Sequence, residues 1–464
     1  MKVIVSQKGA REHFLTARAL HQRGMLAGLV TDWYAFGQNG RHRSMCGWLG
    51  ALVCRYCGRF GSAALAAQCE ALPDDLVHAF PMRTLFWKWR LRHLAAQGRS
   101  YDGYLQMDGA FATAVARLYL PPHEIFFGYS YASLEAMEVA RARGRITVLC
   151  QIDPGPVHFR IVAEEMARHP ELAGPPQPFP DAYFERSRRE WELADVIVVN
   201  SEWTREALIA EGADPAKLEI LPLAYEAEAE EVGSGCAGRA DRPRSADLVP
   251  PARDANDRAY SSRPQGESGR GEAATPYPTS DLRSLTSDLR PLRVLWLGQV
   301  TPGKGIHYLM EAAGLLVKEP VRFDVVGSIG ILPAAVASAP ENMIFHGAVS
   351  RDRVADWYQQ SEVFVLPTLS DGFALTQLEA LSHGLPVITT PKCGRVVEDG
   401  KTGFIIPPRG AIELAGAILR FARDRHLSAS MAPACRAAVK AYSVAAYGDH
   451  LVAIIETCAR RPLS

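Results

Sequence analysis

Asp371 and Glu379 stand with seven residues between them in the stretch SDGFALTQLEALSHGLP, 370–386. The apolar run VFVLP before them, Val363 to Pro367, reads as a short buried strand. A helix is expected over Phe373 to Ser382, stopped by Gly384-Leu385-Pro386. Ligands of open α/β sheets sit beyond the carboxyl ends of such strands, which places both acids where chemistry happens. At 1.5 Å per residue, Glu379 lies roughly 9 Å along that helix from its start. A retaining glycosidase holds its two carboxyls about 5–5.5 Å apart across one bond, so this spacing suits two separate contacts on one extended ligand better. Glu379 would accept hydrogen bonds from the vicinal hydroxyls of a ribose, and Asp371 from the hydroxyls of a second ring. The plain alternative is a pair of solvated acids at a helix start.

Seventy residues upstream, RVLWLGQVTPGKGIHYLMEAAGLL reads as a strand (Val294 to Leu297), a Gly/Pro loop and a helix with Ile306, Leu309, Met310, Ala313 and Leu316 on one face. Free amides at that helix start, the helix dipole and Lys304 make an anion site. Gly298 to Lys304 has the G-x-x-x-x-G-K spacing of a P-loop, yet Gly305 stands where a Ser or Thr hydroxyl must hold magnesium, which rejects that reading. A Gly-Lys pair before a helix also occurs in purely structural loops. Next to the acidic motif in one domain, it points to a diphosphate.

The segments GQVTPGKGIHYLMEA, SEVFVLP, SDGFALTQLEALSHGLPVITT and VVEDGKTGFIIP, with ADVIVVNSEWTREAL in the first half, resemble the family 4 retaining glycosyltransferases of the GT-B fold. The resemblance implies an α/β protein of two facing Rossmann-like domains with a cleft between them. It also implies a nucleotide-sugar donor and a saccharide or lipid-linked acceptor, in polysaccharide or cell-envelope glycan synthesis. It assigns Lys304 and Gly305, with Gly298 and Gln299, to the donor diphosphate. The E-x7-E motif of the family falls on Asp371 (sugar contact) and Glu379 (ribose contact), with Gly372, Phe373, Ala374 and Leu375 in the turn between them. Catalytic assignments fall on Lys304, Asp371 and Asp153. The chain departs from the family in four places: Asp371 replaces the usual Glu, Gln299 stands where many members carry an Arg, Arg395 sits near where members often place a Glu, and the common His-Asp of the first domain reads Ile152-Asp153. Arg395 is a candidate replacement for the missing diphosphate charge. The front-face mechanism, in which the leaving phosphate oxygen helps to take the acceptor proton, is likewise implied by the resemblance. The chain contains no Asp-x-Asp, so no metal is expected, and charge on the leaving group falls to Lys304 and helix amides.

The segments around these residues alternate as strand and helix, the pattern of a parallel sheet. First-half strands are expected at Val3–Val5, Leu26–Thr31, Glu124–Phe127, Ile146–Cys150, Val196–Val199 and Leu218–Leu221. Those of the second half are expected at Val294–Leu297, Phe323–Val326, Met343–Phe345, Val363–Leu366, Val387–Thr389 and Phe404–Ile406. The domains are expected at 1–225 (acceptor side) and 292–440 (donor side), with a final helix, 441–464, returning to the first. Between them 226–291 is a polar insert ending in the tandem repeat TSDLRSL/TSDLRPL, with too little apolar surface to offset the entropy of ordering, and it is expected to be a disordered linker. Gly9 follows the first strand in a turn without G-x-G-x-x-G, which argues against a nicotinamide or flavin site there. Gly9 and Gly327 offer close backbone approach to a donor, or are ordinary turn glycines.

With 464 residues and 48% hydrophobic content the chain is long enough for two α/β domains. Its 51 basic and 51 acidic residues cancel, so no global field recruits nucleic acid. Nine cysteines with a single close pair, Cys54 and Cys57, are expected to be free thiols in a reducing, cytoplasmic compartment. The amino terminus has too short an apolar run for a signal peptide, and no run of 18 apolar residues is present. From Arg41 to Arg99 basic residues are interleaved with aromatics; Arg83, Lys88, Arg90, Arg92 and Arg99 accompany Phe86, Trp87 and Trp89. This mixture suits peripheral contact with an anionic membrane, or else is a helix with its tryptophans in the core. Two other functions stay open on the residues alone: a nucleotide-sugar epimerase or hydrolase on the same scaffold, and a nucleotide-sugar-binding subunit without catalysis.

Overall fold

The computed structural model describes residues 1–9, 11–34, 72–174, 179–226 and 290–460. The Cys54/Cys57 pair, the first part of the basic stretch (41–60) and the polar insert at 227–289 lie outside the described residues.

Two parallel sheets form the framework. The first has seven strands in the order β3-β2-β1-β4-β5-β6-β7, with β1 Val3–Gln7, β2 Leu26–Thr31, β3 Val77–Ala79, β4 Ile125–Tyr129, β5 Ile146–Gln151, β6 Val196–Val199 and β7 Leu218–Ile220. The second has six in the order β10-β9-β8-β11-β12-β13, with β8 Leu292–Leu297, β9 Val321–Val326, β10 Met343–Gly347, β11 Val363–Leu366, β12 Val387–Thr389 and β13 Gly403–Ile405. Every pairing is parallel. Central strands such as β6 and β11 read as unbroken apolar runs because helices cover both faces, whereas β8 and β9 carry Arg293, Arg322 and Asp324. Successive residues point to opposite sides: Val3 and Val5 pack into one core and Ile4 into the other, as Val196 and Val198 do against Ile197 and Val199. The described strand absent from the sequence reading is β3, a three-residue edge strand whose side chains are only partly covered.

In each sheet the order reverses beside its first strand, between β1 and β4 and between β8 and β11. Turns leaving two such neighbours diverge to opposite faces and open a crevice at the carboxyl ends. The turn after β8 and the turn after β11 thus face each other across one crevice, which is where Lys304 and Asp371 lie.

After β13 the chain forms helices Ala411–Arg423, His426–Val439 and Val444–Arg460. The last packs Tyr447, Leu451, Ile454 and Ile455 onto Val3, Val5, Phe14 and Leu20 of the first half, and Tyr447 shares a hydrogen bond of 2.8 Å with Thr16. A chain crossing back in this way ties the two halves together at a second place besides the cleft.

Candidate functional site

Lys304 ends a short turn, Pro302–Lys304, and Gly305 then opens the helix Ile306–Leu315. Gly305 has φ +75, and a Cβ there would lie 1.9 Å from the carbonyl oxygen of Pro367, so only glycine permits the close approach of this turn to the end of β11. The Gly303 carbonyl accepts from the Leu369 amide at 3.0 Å. So held, the Lys304 ammonium forms an ion pair with Asp371. Both side chains keep part of their surface in the cleft, 28% and 15%.

The acidic motif differs from expectation at one boundary. Its helix begins at Thr376, not Phe373. Ala374 is in the left-handed region at φ +63, and the Phe373 carbonyl is taken by the Gly394 amide at 3.1 Å and by Gln377 Nε2 at 2.9 Å. These bonds hold 373–375 as a tight turn, and Glu379 falls in the first helical turn rather than the second. The Phe373 ring is buried in the core against Tyr442, leaving the turn's backbone, Gly372 to Leu375, as its cleft-facing part. Glu379 Oε2 accepts a 2.7 Å hydrogen bond from the buried Tyr358 hydroxyl. Burial and the neighbouring carboxylate raise the Tyr358 phenol well above its ordinary value, so it is a permanent donor that aims Glu379.

Other candidates are placed as follows. The Gly298 amide donates to Val326 at 3.0 Å and the Gly327 amide to Gly347 at 2.8 Å, so both glycines line the sheet end beside the Lys304 turn, and Gln299 is exposed there. Gly9, at φ +79, donates its amide to Asp32 Oδ1 at 2.7 Å. Arg395 does not join Lys304; it lines a separate 380 Å³ pocket with Glu202, Trp203 and Lys392. Asp153 Oδ1 accepts from Tyr131 Oη at 2.7 Å, the Gly155 amide at 2.9 Å and Gln151 Nε2 at 3.2 Å. It therefore shapes the entry to the helix Pro156–Arg168.

That helix carries a residue the sequence reading passed over. His158 lies among Asp153, Lys304 and Asp371, against the Ser370 backbone, and burial holds its pKa below the ordinary value. Its Nδ1 is buried with no hydrogen-bond partner among the described residues. The signal was the Gly-Pro start of a helix directly after β5, which sends the first helical turn to the mouth of the sheet.

The first half also grips the acidic motif directly. Ser201 Oγ caps the helix Glu202–Ala210 through the Thr204 amide at 3.1 Å and donates to the Gly372 carbonyl at 2.6 Å. Trp203 Nε1 donates to Ser370 Oγ at 3.2 Å. A Cβ on Gly372 would meet the Ile152 carbonyl at 2.6 Å. The NSEWTRE and SDGF segments are thus two sides of one joint. A second joint centres on Glu165, fully buried, which accepts from Arg409 at 2.6 Å, Tyr308 and Arg168 at 2.9 Å each, and pairs with His307 at 3.1 Å. Glu165, His169 and His307 bring ligand-type atoms within 4.8 Å. With two guanidiniums on the same carboxylate this cluster repels a cation and acts as a clamp.

Two facing parallel-sheet halves with a crevice at their carboxyl ends and a lysine–acid pair in the second define the GT-B architecture. Residues 291–424 match the family model described as Glycosyl transferases group 1. Among curated proteins the chain is 28% identical to an alpha-D-kanosaminyltransferase of Streptomyces kanamyceticus, over 36% of this chain and 46% of that one. It is also 28% identical to a D-inositol 3-phosphate glycosyltransferase of Streptomyces avermitilis, over 30% of this chain and 33% of that one. The chain thus spans less than half the length of these relatives. Among solved structures it superposes on Anabaena HepE in complex with UDP with a TM-score of 0.54 and 14% identity, covering 98% of this chain and 100% of that one. It superposes on the sucrose-phosphate synthase of Thermosynechococcus elongatus with a TM-score of 0.55 and 16% identity, covering 98% and 99%. At such identities the likeness establishes the fold.

Proposed function

We propose that the protein is a retaining, metal-independent glycosyltransferase that moves a sugar from a nucleotide-diphospho-sugar to an acceptor hydroxyl presented by the first half. The observation that carries this reading is the Lys304–Asp371 pair at the switch point of the second sheet. The donor diphosphate competes with the Asp371 carboxylate for Lys304 and for the amides opening the helix Ile306–Leu315. Asp371, so released, turns to the hydroxyls of the transferred sugar, while Glu379, aimed by Tyr358, accepts from the ribose. As the glycosidic bond to phosphate breaks, Lys304 and the helix dipole stabilise the departing charge, and the phosphate oxygen takes the acceptor proton on the same face. His158, above the pair, borders the place where that hydroxyl arrives. Closure of the halves at Gly372 and Glu165 excludes water and aligns the reactants.

No described helix is long and apolar enough to cross a membrane. On the helix Pro81–Ala95 Trp87 is buried, whereas Met82, Phe86 and Trp89 are exposed among Arg83, Lys88 and Arg92. We place the enzyme in the cytoplasm with this face against an anionic membrane, acting in glycan assembly.

A thermal-shift titration with UDP, GDP and ADP and their sugar conjugates tests the donor site. UDP is the first choice because HepE is solved with it. A shift that disappears in Lys304→Ala and persists in chelator is expected. If no nucleotide raises the melting temperature, or if Lys304→Ala responds like the wild type, the reading fails.

A further inference from the structure

We propose that a pocket between the helix Pro156–Arg168 and the loop after β9 seats the apolar stem of a lipid-linked acceptor. The inference rests on the glycosyltransferase reading and adds to it the class of acceptor. The pocket holds about 720 Å³ and is walled by Tyr101, Phe159, Phe179 and Phe184 from the first half and by Ile331 and Leu332 from the second. Its rings are gathered: Phe159 stacks on Phe179 at 3.7 Å, Phe179 on Phe184 at 4.6 Å, and Tyr101 meets Phe179 edge-on at 4.8 Å. These phenylalanines are only partly buried, unlike Phe126 and Phe127 of the sheet core at 1% and 0% exposure. Apolar surface turned into an open pocket is favourable to cover, and the volume is that of ordinary ligand sites.

The described lining suits a hydrocarbon better than a sugar. Among its described residues the charged one is Arg160, already paired with Glu211. A saccharide buried there would leave most of its hydroxyls without partners, whereas a hydrocarbon needs none.

The pocket adjoins the reacting atoms on one side and the basic aromatic helix on the other. Phe159 follows His158, the rings 5.4 Å apart, and His158 faces Lys304 and Asp371. One turn on, Val162 lies 2.8 Å from where a Cβ on Gly303 would stand. A stem in the pocket therefore leaves the head group of the same molecule beside the Lys304 turn. In the other direction Tyr101 lies in the first turn of the helix Ser100–Ala116, whose Gly103 packs against Leu91 of the helix Pro81–Ala95. The outer face of that second helix is 59% exposed at Met82, 55% at Phe86 and 62% at Trp89. A helix with exposed aromatics and cations suits the headgroup zone of a membrane, and this neighbour favours a membrane-borne stem over a soluble aromatic one.

The test is calorimetric titration, with UDP present, of octyl β-glucoside below its micellar concentration, beside methyl and phenyl β-glucosides. Each methylene buried is expected to tighten binding roughly three- to fourfold, so the octyl compound should exceed the methyl one by far more than tenfold. Ala163→Trp, which fills the pocket, and Leu332→Trp, a change at its exposed rim, should each erase that gain while the thermal shift with UDP stays as in the wild type. Equal binding of the octyl and methyl compounds, or an octyl gain that survives both variants, overturns the proposal. Phenyl glucoside binding as tightly as the octyl compound also overturns it, in favour of a soluble aromatic acceptor. A missing UDP shift in the wild type, with the octyl gain intact, instead strikes the donor reading and leaves the apolar site standing.

Discussion

Lys8 and Lys304 hold corresponding places in the two halves, each in the turn that leaves the strand beside the reversal of its sheet. Each pairs with an aspartate, Lys8 with Asp108 and Lys304 with Asp371. The partners differ. Asp108 is buried on the helix Ser100–Ala116 and accepts a second hydrogen bond, of 2.6 Å, from Tyr183, whose phenol burial drives well above its ordinary value. Asp371 sits on a turn, its side chain 15% exposed against 4% for Asp108. Equivalent topology thus yields a strut in one half and an exchangeable pair in the other. What decides between them is whether the counter-ion is tied down.

The largest expected effect lies in exchanging the two roles. Lys304→Ala should cut turnover by a hundredfold or more, on the order of the loss from removing a single group that stabilises developing charge, with little change in the denaturation midpoint. Lys8→Ala should do the reverse, costing about 3 kcal/mol of stability by stranding a buried carboxylate and leaving the affinity for UDP nearly unchanged. Chemical denaturation and UDP titration of both variants decide it; equal loss of stability in the two would erase the distinction.

The clamp at Glu165 sharpens the comparison through pH, since it joins the halves. Burial lowers His307 to about 4 from its usual 6.5, so the folded protein holds it neutral while the unfolded chain binds a proton. Stability from this group is full above pH 6.5 and is lost as pH falls toward 4, by up to about 3 kcal/mol. Glu165, held below its ordinary value by Arg409, Tyr308 and His307 despite burial, loses stability in the same direction. Denaturation at pH 7 and pH 5 should show the decline, and His307→Gln should flatten it.

Tyr358→Phe removes one hydrogen bond to a carboxylate, worth about 1.5–3 kcal/mol. It should raise the KM for the donor roughly tenfold or more while kcat changes little. Steady-state kinetics that show the loss in kcat instead would move Glu379 from ribose binding to the chemical step. The smallest effect is expected for Asp371→Glu, which keeps the charge and adds one methylene; activity within a few-fold of wild type marks Asp371 as a partner that tolerates exchange.

Most strands were legible because a parallel sheet covered on both faces favours near-continuous apolar runs, such as VIV at β1 and VFVL at β11. The edge strand Val77–Ala79 escaped because its partly covered side chains impose no such run. The boundary at Thr376 escaped for another reason. Phe373-Ala374-Leu375 suits a helix by composition, and the bonds that hold it as a turn come partly from Gly394. Likewise Lys304, Asp371 and Glu379 stood out by spacing, whereas His158, Tyr358 and Ser201 did not. Their partners lie on other elements: Tyr358 and Glu379 are 21 residues apart, and Ser201 and Gly372 171.

The sequence alone determined what each β–α unit contains: where strands run, where glycine lets a turn approach its neighbour, and which turns carry a cation or an acid. Those are local properties, set by side-chain periodicity and by the conformational freedom of a few residues. Only the tertiary structure decided that Lys304 meets an acid 67 residues away while Lys8 is locked by one 100 residues away. The order of strands sets which turns become neighbours, and burial sets whether a charge, once paired, is free to change partners.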